Sequence, residues 1–147
     1  MHYLNRGFSS LCLALFLTTC AANNRNQPFL SGQTNFTVEL LTEQNVCDVS
    51  FQLSNLIQEH IILIEASLWL KNSEGELTQL DVWNGDDVLN LFSGDQILHA
   101  NAVQNYNYDF APHIVTTEPS YTLELQIIGL NNGLPSVGQI LSFCSVP

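Results

Sequence analysis

The stretch CDVSFQLSN, residues 47–55, carries the clearest structural signal in the 147-residue sequence. Its apolar residues alternate strictly with polar ones, which is the pattern of a β-strand with one buried face and one solvated face. The same alternation places the Cys47 side chain on the buried face. This two-residue periodicity therefore predicts a half-buried β-strand near the start of the folded domain.

Alternation of the same kind continues along most of the chain. It predicts strands over 36–40, 61–70, 76–83, 96–100 and 121–127, and a last strand that ends near Cys144. Turns rich in Asn, Gly, Ser and Asp separate these segments, and the one short helix predicted, over 88–92, would be capped by Asp86 or Asp87. About seven short strands predict a single antiparallel β-sandwich over 34–147.

The first twenty residues have the features of a targeting segment. His2 and Arg6 precede the apolar run FSSLCLALFL at 8–17. This run is shorter than the roughly 20 residues that cross a bilayer, and it has the length of the apolar part of a secretory signal. The small residues TTCAA follow at 18–22. The segment therefore predicts export.

The sequence LTTC at 17–20 resembles the lipobox of bacterial lipoproteins, in which the cysteine becomes the lipidated first residue of the mature chain. The resemblance implies a signal peptide over 1–19, lipidation of Cys20 and, because Ala21 follows, an outer-membrane location facing the periplasm. Thr19 departs from the Gly, Ala or Ser that the family usually has there. Ordinary signal-peptidase cleavage after Ala22 is the alternative, which would give a soluble periplasmic or secreted protein.

Residues 20–33 are polar and are interrupted by Pro28 and Gly32. This composition predicts a flexible tether between the anchor and the folded domain. The chain is then divided into a signal peptide over 1–19, a tether over 20–33 and a β-sandwich domain over 34–147.

The cysteines agree with export under either cleavage. Cys12 leaves with the leader, and Cys20 is lipidated or removed, so Cys47 and Cys144 remain. In an oxidising compartment two remaining cysteines most simply form a disulfide. Two free buried thiols are the alternative.

The segment 46–94 resembles the small immunoglobulin-like domains of bacterial envelope lipoproteins, of the FxLYD type. The likeness rests on the strand CDVSFQLSN, on the turn NSEG at 72–75 and on the Ser93-Gly94 turn. It implies an immunoglobulin-like sandwich with an accessory or binding role and no catalytic residues. Two departures are a Trp69 with outward parity and the absence of a tyrosine two residues before Cys144.

The charge balance limits the classes of partner. All 14 acidic residues follow position 38, and only Arg25 and Lys71 are positive after Cys20, so 20–147 has a formal charge of 2 − 14 = −12. Such a surface repels polyanions and offers no basic patch, which disfavours nucleic acid. We expect a membrane contact through the lipid and an envelope protein as partner.

One aromatic row is a candidate binding surface. Tyr106, Tyr108 and Phe110 recur at period two in a stretch without Lys or Arg. An exposed row could grip a protein partner or stack on a sugar, and Trp69 could extend it. The alternative is that the row is the core face of one more strand.

Signals for metal binding and catalysis are weaker. The aspartates near Gly85 and Gly94 could supply oxygen ligands to calcium, although their spacing is not that of an EF-hand and Asp beside Gly is ordinary turn chemistry. No cofactor motif is present, and His60, His99 and His113 lack a nucleophile signature such as G-x-S-x-G. The weak calcium candidates are Asp81, Asp86, Asp87 and Asp95.

The sequence therefore predicts a non-catalytic envelope lipoprotein that acts as an accessory protein-binding module. A carbohydrate- or calcium-binding module of the cell envelope is the alternative. A partner-binding module should display an exposed apolar strip or an open edge strand on its folded domain.

Replacing the predicted lipidation site tests the anchor. We expect Cys20→Ser to release the protein from the membrane fraction, because a single polar side chain cannot replace a lipid. Fractionation of cell envelopes, followed by immunoblotting, measures the change. Unchanged membrane association would contradict lipidation.

Overall fold

The computed structural model describes residues 33–44, 47–138 and 140–147. The predicted signal peptide, Cys20 and the tether up to residue 32 lie outside these ranges. Among the helices described, none has the length and apolar character to cross a membrane. The described elements are β1 Phe36–Gln44, β2 Asp48–Asn55, β3 Ile61–Asn72, β4 Leu77–Asn84, α1 Asp87–Leu91, β5 Ile97–Leu98, β6 Val103–Asp109, a 3₁₀ turn at Ala111–His113, β7 Tyr121–Asn131, β8 Leu134–Val137 and β9 Leu141–Val146.

The strands form two antiparallel sheets. The smaller sheet has the order β1-β2-β6, and the larger is built on β4-β3-β7, with β5 paired to β3 and both β8 and β9 paired to β7. The chain changes sheets after β2, after β5 and after β6, as in immunoglobulin-like sandwiches. The predicted all-β sandwich is confirmed, with nine strands described where about seven were expected. The difference comes from β6, and from the division of the predicted last strand into β8 and β9.

The core lies between the facing surfaces of the two sheets. In β2 the buried positions alternate along the whole strand, as its sequence predicts. The central β7 is instead buried from Leu123 to Gly129, because it packs on both of its faces. Burial of each large apolar side chain contributes about 1.5–3 kcal/mol. The largest fully buried side chains include Phe36, Phe51, Phe92, Phe110, Leu63, Leu68 and Leu125.

A disulfide joins Cys47, before β2, to Cys144 in β9, with a Cα–Cα distance of 5.1 Å. The predicted bridge is confirmed. The chain reaches it through an irregularity in β9, because the pairing with β7 shifts between Tyr121 and Leu123 and Cys144 has a φ of 51°. A bulge of this kind redirects a side chain, so that Phe143 and Cys144 are both buried although they are consecutive.

The end of β2 is held by a buried amide. Asn55 Nδ2 donates to the carbonyl oxygens of Glu59, Leu98 and His99 at 2.8–3.1 Å. Its Oδ1 accepts from the backbone N–H of Ile57 at 3.0 Å. The side chain therefore satisfies polar groups of the loop before β3 and of β5, which explains why a polar residue ends this apolar-faced strand.

Gln33, the first residue that the structure describes, lies at the edge of the larger sheet. Gln33 pairs in parallel with Ser136 of β8. Its N–H donates to the Pro135 carbonyl at 3.3 Å, and its carbonyl accepts from the Val137 N–H at 3.0 Å.

Removal of the disulfide tests how far the fold depends on it. We expect the Cys47→Ser/Cys144→Ser double variant to lose about 4 kcal/mol of unfolding free energy, because the bridge closes a loop of 97 residues in the unfolded chain. Urea denaturation measures the change. An unchanged midpoint, or two alkylatable thiols in the native unreduced protein, would contradict the assignment.

Candidate functional site

The aromatic row of β6 packs in the core. Tyr106 and Phe110 are buried, and Tyr108 is half-buried. Tyr106 packs on Phe51 and Phe92, with ring centroids 5.6 and 5.1 Å apart. The prediction of an exposed aromatic binding surface is therefore corrected. These side chains lie on the core face of the strand, which was the alternative, because they pack between the two sheets.

Trp69 is also buried, with only 3% of its surface exposed. It lies outside the core cluster, on the face of β3 opposite to Leu68 and Leu70, as its parity predicts. Its Nε1 donates to Ser67 Oγ at 2.9 Å. Trp69 is thus buried on the outer sheet face and does not extend an exposed aromatic surface.

The four candidate calcium ligands have separate local roles. Asp95 Oδ1 accepts from the Ile97 N–H at 2.8 Å. Asp86 and Asp87 begin α1, and Asp81 contacts a histidine. Among the described residues, no three or more His, Cys, Asp or Glu side chains are grouped to hold a metal ion.

Asp81, His113 and Tyr108 form a hydrogen-bonded chain that the sequence did not reveal. His113 Nδ1 lies 2.7 Å from Asp81 Oδ2, and Tyr108 Oη lies 3.0 Å from His113 Nε2. A carboxylate only accepts, so Nδ1 donates to it, and Nε2 shares the second hydrogen bond with the Tyr108 hydroxyl. Trp83 packs edge-on against His113 and Tyr108. The chain links β4 of one sheet to β6 of the other.

A polar groove of about 640 Å³ lies on the outer face of the larger sheet. Lys71 Nζ forms an ion pair with Glu124 Oε1 there at 3.2 Å. Glu124 is largely buried and Lys71 is exposed, so the ammonium offsets the desolvation of the carboxylate. Serine and threonine hydroxyls line the remainder, including those of Ser120, Thr122, Ser142 and Ser145.

Three isoleucines form an exposed strip elsewhere on the larger sheet. Ile62 pairs with Ile97 across β3 and β5, and Ile64 lies two residues along β3. Each is between 36% and 44% exposed. The outer edge of β5 is closed by side chains, because Asp95 accepts from the Ile97 N–H and Gln104 Nε2 approaches the Ile97 carbonyl at 3.5 Å. This strip is therefore an apolar face beside a blocked edge.

The outer edge of β6 differs, because its backbone groups point into solvent. The Asn55 N–H donates to the Ala102 carbonyl at one end of the β2–β6 ladder, and the Phe110 N–H donates to the Cys47 carbonyl at the other. Antiparallel pairing alternates between hydrogen-bonded and non-hydrogen-bonded pairs. The N–H and C=O groups that point away from β2 are therefore those of Val103, Asn105, Asn107 and Asp109.

Several devices that usually protect an edge strand are absent from this β6 edge. It contains no Pro or Lys, and its seven pairs with β2 run without a register shift. Two other edge strands, β1 and β4, are irregular. Pairing of β1 shifts between Leu40 and Thr42, and β4 carries a shift opposite Leu68/Trp69. The β6 edge is thus the regular, unprotected one among the described edges of this sheet.

The solvent face beside this edge is polar and ordered by cross-strand contacts. Asn107 Oδ1 accepts from the Ser50 hydroxyl, and Asn105 Oδ1 accepts from Gln52 Nε2 at 2.9 Å. These two hydrogen bonds join the side chains of β6 to those of β2. The β6 edge together with this face is the candidate functional site.

Sequence reasoning singled out the inward residues of β6 and missed the outward ones. The alternation of residue types identifies the inward and the outward residues equally well, but it does not show whether a strand is central or at the edge of its sheet. The absence of Pro and Lys in VQNYNYD, residues 103–109, was the available signal.

Comparisons with known proteins do not assign this chain to a family. No family model matches the chain, and no curated protein matches it. One solved structure that is similar to it is the X-ray structure of Northeast Structural Genomics Consortium target SoR45. The two share 10% sequence identity, with a TM-score of 0.44 over 74% of this chain and 83% of that one.

Tyr106 predicts a loss of stability in alkali. Burial, and secondarily the negative charge of Asp95, raises the pKa of Tyr106 to about 12. Below pH 10 the phenol is neutral in both states, whereas between pH 10 and 12 the unfolded chain releases this proton and the folded chain keeps it. The unfolding free energy should therefore fall across that window.

Urea denaturation at pH 9, 10, 11 and 12 measures the effect. Tyr106→Phe should flatten the decline, while Tyr121→Phe, which retains Tyr106, should follow the wild type. Equal declines in all three proteins would contradict the coupling.

Proposed function

We propose that this chain is a non-catalytic accessory protein-binding module of a bacterial envelope lipoprotein, and that it binds its partner by strand addition at the β6 edge. The observation that carries the proposal is the regular edge over Val103–Asp109, which points unpaired N–H and C=O groups outward without a bulge, Pro or Lys. Such edges pair readily with another chain, and strand addition is a common mode of peptide recognition.

The backbone supplies the affinity in this mode. Each new inter-strand hydrogen bond contributes about 0.5–1.5 kcal/mol net, and the partner would form them with four residues of β6. The β6 strand is held in place because Tyr106 and Phe110, on its inward side, are buried in the core. An edge that is already ordered loses little conformational freedom on binding, which favours association.

The acidic surface supports a protein partner over a nucleic acid or an anionic membrane. Residues 33–147 carry 14 acidic side chains and one basic one, Lys71, a formal charge of 1 − 14 = −13. A lipid on Cys20 would hold the domain at the membrane, and the predicted flexible tether over 20–33 would set its reach. Presentation of an open edge within that reach of the membrane is then the mechanism.

Blocking the edge backbone tests the proposal. In Asn105→Pro the missing N–H is one that points away from β2, so the β2–β6 ladder is retained while strand addition is blocked. Affinity capture from envelope extracts should lose the wild-type partners with this variant. Asn105→Thr, which loses the same side-chain contact to Gln52 and keeps the N–H, should retain them.

Melting temperatures within about 5 °C of wild type and an intact disulfide establish that both variants fold. A folded Asn105→Pro protein that captures the wild-type set of partners would refute strand addition at β6.

A further inference from the structure

Two carboxylates face each other at one end of the β6 edge. Asp48 of β2 pairs with Asp109 of β6 on the solvent face of the smaller sheet. The pair is of the non-hydrogen-bonded type, because the neighbouring Phe110 N–H donates to the Cys47 carbonyl. Side chains approach most closely in such pairs, at about 4.5 Å between Cα atoms, and like charges directly opposite each other are destabilising.

The described part of the chain places no fixed positive charge beside this pair. Lys71, the one Lys or Arg among the described residues, lies on the larger sheet in its ion pair with Glu124. Asp109 Oδ1 accepts from the Ala111 N–H at 3.0 Å, which satisfies one oxygen and leaves the other carboxylate oxygen available. The repulsion between Asp48 and Asp109 therefore lies at the β6 edge, where the proposed function places the partner strand.

We propose that the segment bound at β6 is an extended peptide of a partner protein that places Lys or Arg beside Asp109. The inference rests on the proposed strand addition and deepens it by naming the chemistry of the partner strand. A residue opposite Asp109 in the added strand projects onto the same solvent face. Its cation would contact Asp109 directly and lie about two strand spacings, roughly 10 Å, from Asp48.

The Val103 end of the β6 edge favours a different class of side chain in the partner strand. Val103 is 59% exposed and lies beside Ser54 at the start of β6. A neighbouring strand stabilises such a position best with a β-branched or aromatic side chain. Asn105 and Asn107 lie between the two ends and suit hydroxyl or amide side chains. The predicted ligand is therefore a strand that is basic at one end and apolar at the other.

A second copy of this chain fits the edge poorly. Antiparallel pairing of two β6 strands would bring together two domains that each have a formal charge of −13, with no basic residue in VQNYNYD to offset it. Charge complementarity therefore favours a basic segment of another protein.

Selection from a displayed library of random twelve-residue peptides tests the inference with the full chain as bait. Peptides that bind wild type and fail to bind Asn105→Pro are taken as edge binders. We expect these peptides to be enriched in Lys or Arg toward one end and in β-branched or aromatic residues toward the other.

Synthetic versions of the selected peptides then test the charge. We expect Asp48→Asn/Asp109→Asn to weaken their binding about three- to tenfold, since each solvent-exposed pair contributes modestly. The Asp109→Asn substitution keeps a side-chain oxygen that accepts from the Ala111 N–H. Glu74→Gln/Glu118→Gln removes the same net charge from exposed positions elsewhere and should leave the affinity within about twofold.

Two results separate the possible failures. Edge binders without basic enrichment, or with equal affinity for both double variants, would overturn the basic-strand inference and leave strand addition intact. Absence of any peptide sensitive to Asn105→Pro would overturn strand addition and the inference with it.

Discussion

The packing of the inward aromatic side chains of β6 is the constraint on which both the sandwich and its candidate site depend. Tyr106 and Phe110 fill the space between the sheets, where Phe110 lies 5.0 Å from Phe143 and 5.9 Å from Trp83 between ring centroids. A slip of one residue would move these rings into water, so the register of β6 is fixed. The same register turns the backbone groups of Asn105 and Asn107 toward the open side.

Two connections join the sheets. The Cys47–Cys144 bond joins the start of β2 to β9 covalently, and Phe110, directly after β6, donates its N–H to the Cys47 carbonyl. The hydrogen-bonded chain through His113, together with the packing of Phe92 on Tyr106, joins them without a covalent bond. The candidate edge is therefore supported by the disulfide near its Asp109 end and by side-chain packing and hydrogen bonds at Tyr106 and Tyr108.

Much of the fold could be predicted because the strands alternate cleanly and Cys47 shares the core parity of Phe51. The location of a binding surface could not be predicted, because alternation alone does not show whether one face of a strand is exposed or packed between two sheets. Trp69 illustrates the limit: its face was predicted correctly, yet its side chain is buried there. The meeting of Asp81 with His113 depends on a contact 32 residues apart in sequence, which no local pattern encodes.

The position of the disulfide has a consequence for the order of folding. One of its cysteines precedes the second strand and the other lies in the ninth, 97 residues later. A chain that emerges progressively from its N terminus cannot acquire this cross-link until nearly every strand has been delivered. Until then the two cysteines cannot be joined, so oxidation of this pair comes late in the delivery of the chain.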